Sequence, residues 1–131
     1  MQKNSGFTMI ELMIALVIFS LVATFAYTSY RNHIIETNRT EARSALQTAA
    51  ATLEKCKSLF GVYNHGNCNY SDFATESNVY NITVARNATA FTLTARPVAG
   101  SIQAEDADCT ALTLTNIGIR QAAGGAAENC W

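Results

Sequence analysis

Proline, histidine and charged residues are scarce in this sequence, and its small net charge and short length each exclude a class of function. The 131 residues include one proline, two histidines and 15% charged residues, against roughly 25% charged in an average soluble domain. Nine Lys and Arg against ten Asp and Glu leave a net charge of −1, so no overall basic field attracts nucleic acid or anionic lipid from a distance. A chain of this length forms one domain with at most one long extra segment, which excludes a two-domain enzyme.

A recognisable catalytic or metal-binding pattern is also missing. Catalysis needs a nucleophile with a base, paired carboxylates or a metal set in one pocket, and no such set stands out. We therefore predict no catalytic residue, no enzyme activity and no cofactor. His33 and His65 are far from any close cysteine pair, which argues against zinc. The acidic run from Glu105 to Asp108 lacks the spacing of a calcium loop, so we expect a solvated turn there and no metal site.

A long apolar run lies near the start of the chain. From Phe7 to Ala26, sixteen of twenty residues are apolar and Glu11 alone is charged. A helix rising about 1.5 Å per residue would span about 30 Å over this run, the thickness of a bilayer's hydrocarbon core. The apolar region of a secretory signal peptide is usually shorter. We predict a membrane-spanning helix over 7–30, with the leader 1–6 on the cytoplasmic side and the remainder outside.

Glu11 places a carboxylate inside this apolar run, which costs about 2.5–3.5 kcal/mol for a charge near the bilayer centre. One explanation is a capping box, because Thr8 and Glu11 have the required spacing and would satisfy two free amides at the helix start. Another is an ion pair with the protonated amine that cleavage after Gly6 would create on Phe7. The sequence leaves both explanations open.

The segment GFTMIELMI, residues 6–14, resembles the G-F-T-x-I-E-L-M processing site of type IV prepilins. The resemblance implies that a prepilin peptidase cuts between Gly6 and Phe7, that Phe7 is N-methylated, and that Glu11 neutralises the amine of a neighbouring subunit during assembly. The family commonly has glycine at the position of Ser20 and proline at that of Thr28, so we expect a straighter helix here. The C-terminal half, with CTALTL and the ending ENCW, resembles minor pilins of the type IVa class.

The sequence after the apolar run predicts an α+β head over 31–131. The apolar helix continues as an amphipathic helix over 31–59, so that one long helix runs from Phe7 to Leu59. It is followed by a loop over 60–78, an antiparallel sheet of three or four strands over 79–120, and a C-terminal loop over 121–131. The sheet should pack on the helix through its apolar face. The helix face predicted to be buried comprises Ala42, Ala45, Leu46, Ala49, Ala50, Leu53, Cys56 and Phe60. The inward strand positions are Tyr80, Ile82, Val84, Phe91, Leu93, Leu112 and Leu114.

Four cysteines lie in the part of the chain that should face outside, where thiols oxidise. Three connectivities are possible. We favour Cys56 with Cys68, which ties the helix end to the following loop, and Cys109 with Cys130, which closes the C-terminal loop. Each bridge would contribute about 3 kcal/mol in the chain-entropy model.

These features favour a structural protein, a minor subunit of a type IV pilus. The resemblance implies a single-pass protein of the bacterial inner membrane that later enters an extracellular filament, supporting pilus biogenesis, motility, adhesion or DNA uptake. Its implied partners are other pilin subunits, the prepilin peptidase and the inner-membrane assembly machinery. One alternative is a type II secretion pseudopilin.

Another alternative is a head that binds DNA or a surface. DNA binding would need clustered cations and an aromatic side chain for stacking. The candidate contacts are Arg86, Arg96 and Arg120, with Tyr63 and Tyr70 as candidate stacking partners.

Overall fold

A computed structural model describes residues 6–131, in which one long helix precedes a five-stranded antiparallel sheet. Helix α1 runs from Met9 to Phe60. The strands are β1 (Phe73–Ala74), β2 (Tyr80–Arg86), β3 (Phe91–Pro97), β4 (Ala111–Thr115) and β5 (Arg120–Ala123), with short 3₁₀ helices at Ile102–Glu105 and Ala127–Asn129. Spatial order in the sheet follows chain order. The chain divides into a first unit that ends at Ile34 and a second unit, Ile35–Trp131.

The core of the second unit lies between one face of α1 and one face of the sheet. Ala42, Leu46, Ala49, Leu53 and Cys56 are the buried helix residues, at the three- and four-residue spacing of a single helix face. On the sheet, the alternation predicted from the sequence is confirmed, because the inward residues of three strands are buried: Tyr80, Ile82, Phe91, Leu93, Leu112 and Leu114. Phe60, predicted on the buried helix face, is instead partly exposed.

The sheet has more strands than predicted and extends further at both ends. β1 lies within the predicted loop 60–78 and pairs with β2 through Phe73 opposite Ile82. β5 continues to Ala123, beyond the predicted limit at 120, and pairs with β4. Neither segment carries a run of alternating large apolar residues, so its sequence lacks the signal that identifies the central strands.

A buried ion pair joins α1 to the loop between β3 and β4. The Arg39 guanidinium donates through Nε to Asp106 Oδ2 at 2.7 Å and through Nη2 to Asp106 Oδ1 at 2.6 Å. The side chain of Gln103 donates to the same carboxylate at 2.9 Å, and the Cys109 amide donates at 3.3 Å. The expectation of a solvated turn over 105–108 is therefore wrong for Asp106, which is buried because charged and polar donors satisfy its carboxylate.

The C-terminal loop is held by a disulfide, by a hydrogen bond to the helix and by a close backbone approach. Cys130 is bridged to Cys109, and its carbonyl accepts a hydrogen bond from Arg43 Nε at 2.8 Å. Gly124 has a φ of +138°, and a Cβ atom there would lie 2.0 Å from the carbonyl oxygen of Asp108. Glycine is therefore required at this position on both conformational and steric grounds.

Candidate assembly and nucleic-acid interfaces

The start of α1 is closed by a reciprocal pair of hydrogen bonds. The Glu11 amide donates to Thr8 Oγ1 at 3.3 Å, and the Thr8 amide donates to a carboxylate oxygen of Glu11 at 3.5 Å. This is the geometry of a capping box, one of the two explanations for Glu11. Gly6 and Phe7 precede the helix, and Phe7 is 81% exposed. The remainder of the predicted leader, residues 1–5, lies outside the described residues.

The apolar half of α1 is exposed within the part of the chain that the structure describes. Every side chain from Phe7 to Tyr30 is exposed, and the helix contains a stretch long and apolar enough to cross a membrane. Its hydroxyl groups bond back to their own helix, since Ser20 donates to the Val17 carbonyl at 2.8 Å and Thr28 donates to the Phe25 carbonyl at 3.0 Å. These residues, where the resemblance gives glycine and proline, lie within uninterrupted helix.

The four cysteines form two disulfides, Cys56–Cys68 and Cys109–Cys130. These are the pairs that the sequence favours. The first bridge joins the end of α1 to the loop that leads to β1, and the second closes the C-terminal loop against the start of β4. Among the described residues, no group of three His, Cys, Asp or Glu side chains is placed to hold a metal ion.

Two arginines of the second unit form ion pairs in the described part of the chain. Arg39 binds Asp106 and Glu36, and Arg43 binds Glu36. Hydrogen bonding to Asp106 raises the pKa of Arg39 above its ordinary value, with further contributions from the charges of Asp106 and Glu36, while burial opposes the shift. These two cations are therefore committed to intramolecular contacts with carboxylates.

Other cations collect where α1 ends. We define the distal end of the head as the last turns of α1, the β2–β3 turn and the β4–β5 turn. Four cations lie there without an ion pair to any carboxylate in the described part of the chain: Lys55, Lys57, Arg86 and Arg120. Lys57 Nζ donates to the Ala88 carbonyl at 3.3 Å, which holds the β2–β3 turn against the helix end.

The structure does not bring the three predicted DNA contacts into one cluster. Arg86 Nη1 donates to the carbonyls of Tyr63, at 3.0 Å, and Cys68, so it fixes the disulfide-closed loop after α1. Arg120 is exposed, with its guanidinium 5.5 Å from the centre of the Trp131 ring. Arg96 is exposed at the other end of the sheet, where it pairs with Asn81.

The two candidate stacking aromatics are engaged inside the fold. Tyr63 is buried, packs edge-on against Phe91, and donates its hydroxyl to Glu54 at 2.8 Å. Burial, followed by this hydrogen bond, raises the pKa of Tyr63. Tyr70 packs edge-on against Phe73. Lys55 and Lys57 are not among the DNA contacts predicted from the sequence, although their position in the last turns of the predicted helix is a usable signal.

Comparison with known proteins covers almost the whole chain. Residues 1–27 match the family model described as "Prokaryotic N-terminal methylation motif", and residues 28–113 match "Type IV minor pilin ComP, DNA uptake sequence receptor". A search of curated proteins gives no significant match.

Among solved structures, the chain resembles the Neisseria meningitidis non-core minor pilin PilV, with 24% identity, 71% of this chain and 90% of that chain covered, and a TM-score of 0.55. That likeness supports the pilin fold, with its long N-terminal helix and antiparallel sheet. Because the family model spans well over half of the sequence, the chain belongs to the ComP family of type IV minor pilins.

Proposed function

We propose that the mature protein is a filament subunit produced by cleavage between Gly6 and Phe7 and by N-methylation of Phe7. The exposed apolar stretch over 7–30 supports this proposal, because it requires a lipid or protein environment outside the chain. A prepilin peptidase would process the inner-membrane form, and the assembly machinery would then transfer it into an extracellular pilus.

In this proposal Glu11 has two tasks. A carboxylate has about four acceptor positions, so the single hydrogen bond from the Thr8 amide leaves room for a second donor. That donor would be the protonated Phe7 amine of a neighbouring subunit. The capping box and the intersubunit ion pair are then compatible, and capping holds the carboxylate at the helix start where the amine arrives.

Glu11→Gln separates these two tasks. Glutamine also completes a capping box but carries no charge. We expect normal membrane insertion and cleavage at Phe7, with strongly reduced recovery in sheared filaments, measured by mass spectrometry of the mature chain. The matched control is Thr8→Ala, which weakens the cap and keeps the charge. Incorporation of Glu11→Gln at the wild-type level would contradict the ion pair.

We further propose that the head binds duplex DNA at its distal end. The observation that carries this proposal is the family model over residues 28–113, which describes a DNA uptake sequence receptor. The unpaired cations of the distal end support it, because phosphate neutralisation by Lys and Arg supplies much of the affinity for DNA. With a net charge of −1, the head requires such a local patch.

Intramolecular contacts hold some cations of the distal end in place. Lys57 lies 4.8 Å from the centre of the Tyr63 ring and is fixed by the Ala88 carbonyl. Arg86 acts indirectly, since its hydrogen bonds position the loop between Cys56 and Cys68. We assign phosphate contact to Lys55, Lys57 and Arg120, and a positioning role to Arg86.

The test uses the full-length protein in nanodiscs of zwitterionic lipid and a short duplex DNA, with affinity measured over a series of salt concentrations. Lys55→Gln and Arg120→Gln should each weaken binding and lower the slope of log affinity against log salt by about one. Arg96→Gln is the matched control at the other end of the sheet and should change neither quantity. Absence of binding by the wild type, or equal loss in Arg96→Gln, would contradict this interface.

A further inference from the structure

The hydrogen bonds of the β4–β5 turn account for its backbone, but they do not explain which residues occupy its tip. The Gly118 amide donates to the Thr115 carbonyl at 3.0 Å, the Thr115 amide donates to the Ile119 carbonyl at 3.1 Å, and the Ile119 amide donates to Thr115 Oγ1 at 3.1 Å. Gly118 has a φ of +78°, as expected at the left-handed position of a three-residue hairpin loop. Thr115 and Gly118 therefore account for the turn, and no contact in it requires an isoleucine.

Two large apolar side chains are nevertheless exposed there. Ile117 is 72% exposed and Ile119 is 45% exposed, at positions where turns ordinarily carry small or polar residues. The β2–β3 turn offers a direct contrast, because Asn87 Oδ1 accepts hydrogen bonds from the amides of Thr89 and Ala90. There the polar side chain builds its turn, whereas Ile117 leaves its apolar surface in water.

Two cations lie near this tip, together with the Glu54 carboxylate, which accepts a hydrogen bond from the Tyr63 hydroxyl. Arg120 directly follows Ile119 and begins β5. On the other side of the tip, the Asn116 amide donates to the Phe91 carbonyl at 3.2 Å. The Phe91 ring packs against the Tyr63 ring. Lys57 Nζ lies over that Tyr63 ring. An exposed apolar side chain with cations near it matches two features of duplex DNA, its phosphates and the apolar edges of its base steps.

We propose that Ile117 is a wedge that inserts between base pairs from the minor groove of duplex DNA, while Arg120 and Lys57 bind the flanking phosphates. This inference rests on the proposed DNA-binding function and assigns its contact mode. Proteins that insert an apolar side chain partly unstack one base step and kink the duplex. Pyrimidine–purine steps deform most easily, so the wedge would favour sites that contain one.

The experiment places the fluorescent base 2-aminopurine at the central TA step of a short duplex and adds the full-length protein in zwitterionic nanodiscs. Wild-type binding should raise the fluorescence, because unstacking relieves quenching. Ile117→Asn retains a residue suited to the turn and should reduce affinity at least about tenfold, remove the fluorescence rise and leave the salt slope unchanged. Ile117→Val, which keeps an apolar β-branched tip, should behave like the wild type.

The outcomes separate the two proposals. Wild-type binding with no fluorescence change, or wild-type affinity in Ile117→Asn, would overturn the wedge and leave the DNA-binding function standing. Absence of wild-type binding to any duplex would overturn both. Equal thermal unfolding of Ile117→Asn and wild type, followed through Trp131, checks that the variant is folded.

Discussion

The two stretches of α1, before and after Ile35, differ in what their side chains contact. In the second unit, the helix buries Ala42, Leu46, Ala49 and Leu53 against a sheet of its own chain. In the first unit, the side chains from Phe7 to Tyr30 are exposed on every side. An amphipathic helix has its partner in the same molecule, whereas a helix that is apolar all round needs surroundings supplied by other molecules. The first stretch is therefore explained by its environment and the second by its fold.

The charged side chains of the two units differ in the same way. The second unit buries the Arg39–Asp106 pair, in which the side chains are 13% and 3% exposed. In the first unit, Glu11 is bonded to Thr8 at the exposed helix start. The predictions below test this contrast, from the largest expected effect to the smallest.

Arg39→Met should produce the largest loss of stability. The change leaves the Asp106 carboxylate buried without its cation, which costs about 3–5 kcal/mol in the free energy of unfolding. Chemical denaturation of the full-length protein in micelles, followed through Trp131 in the second unit, measures this loss. Lys55→Met is the matched control, because Lys55 is exposed, and it should change stability little. An equal loss in both variants would contradict the importance of the buried pair.

The effect of Arg39→Met should depend on pH. Burial alone would raise the pKa of Asp106, but the hydrogen bonds and charge of Arg39 lower it below its ordinary value. The stabilisation is therefore present above the unfolded pKa of about 3.9 and is lost as the pH falls through the lower folded pKa. The stability difference between wild type and variant should narrow as the pH falls, beginning above about pH 4 because burial without Arg39 raises the pKa of Asp106 in the variant, and continuing below it. A constant difference would argue against the ion pair.

Leu46→Ala and Leu16→Ala compare the two stretches of α1 directly. Leu46 is fully buried, so its truncation leaves a cavity and should cost about 3 kcal/mol. Leu16 is 68% exposed, so the same truncation should leave unfolding of the second unit unchanged. Leu16→Ala should instead weaken filament incorporation, measured in sheared fractions. Destabilisation of the second unit by Leu16→Ala would contradict this difference between the two stretches of α1.

Gly124→Ala should destabilise the C-terminal loop by about 1–3 kcal/mol, because the new methyl group would meet the Asp108 carbonyl and the backbone there has a positive φ. Denaturation measures the loss. Gly66→Ala is the matched control, since a Cβ there meets no atom within 4 Å. Similar effects of the two substitutions would show that the close approach does not constrain the loop.

Thr8→Ala should have the smallest effect, a loss of about 1 kcal/mol in local helix stability, confined to the first turn. Hydrogen exchange of the Glu11 amide in micelles should accelerate, while unfolding of the second unit stays the same. Glu11→Gln should preserve protection of the Thr8 amide, because glutamine can accept the same hydrogen bond. Loss of protection in that variant would contradict its use as a charge-only change.

The elements that alternate or repeat in the sequence were predictable, and those fixed by distant partners were not. The inward strand positions of β2, β3 and β4 follow from a two-residue period, whereas β1 and β5 become strands by pairing with neighbours. Asp106 was expected in solvent because its cation lies 67 residues away in the chain. Arg86 is a predicted DNA contact for the same reason, since the backbone carbonyls that accept its hydrogen bonds come from another loop.

The Cys56–Cys68 bridge has a mechanical consequence. A pull applied along α1 reaches Cys56 and passes through covalent bonds to Cys68, so the intervening loop cannot lengthen beyond its cross-link. Cys109 and Cys130 restrict the tail in the same way. Of the chain that follows Cys56, the segment between Cys68 and Cys109 is the part left to extend under tension, and its antiparallel hairpins must open before it can stretch.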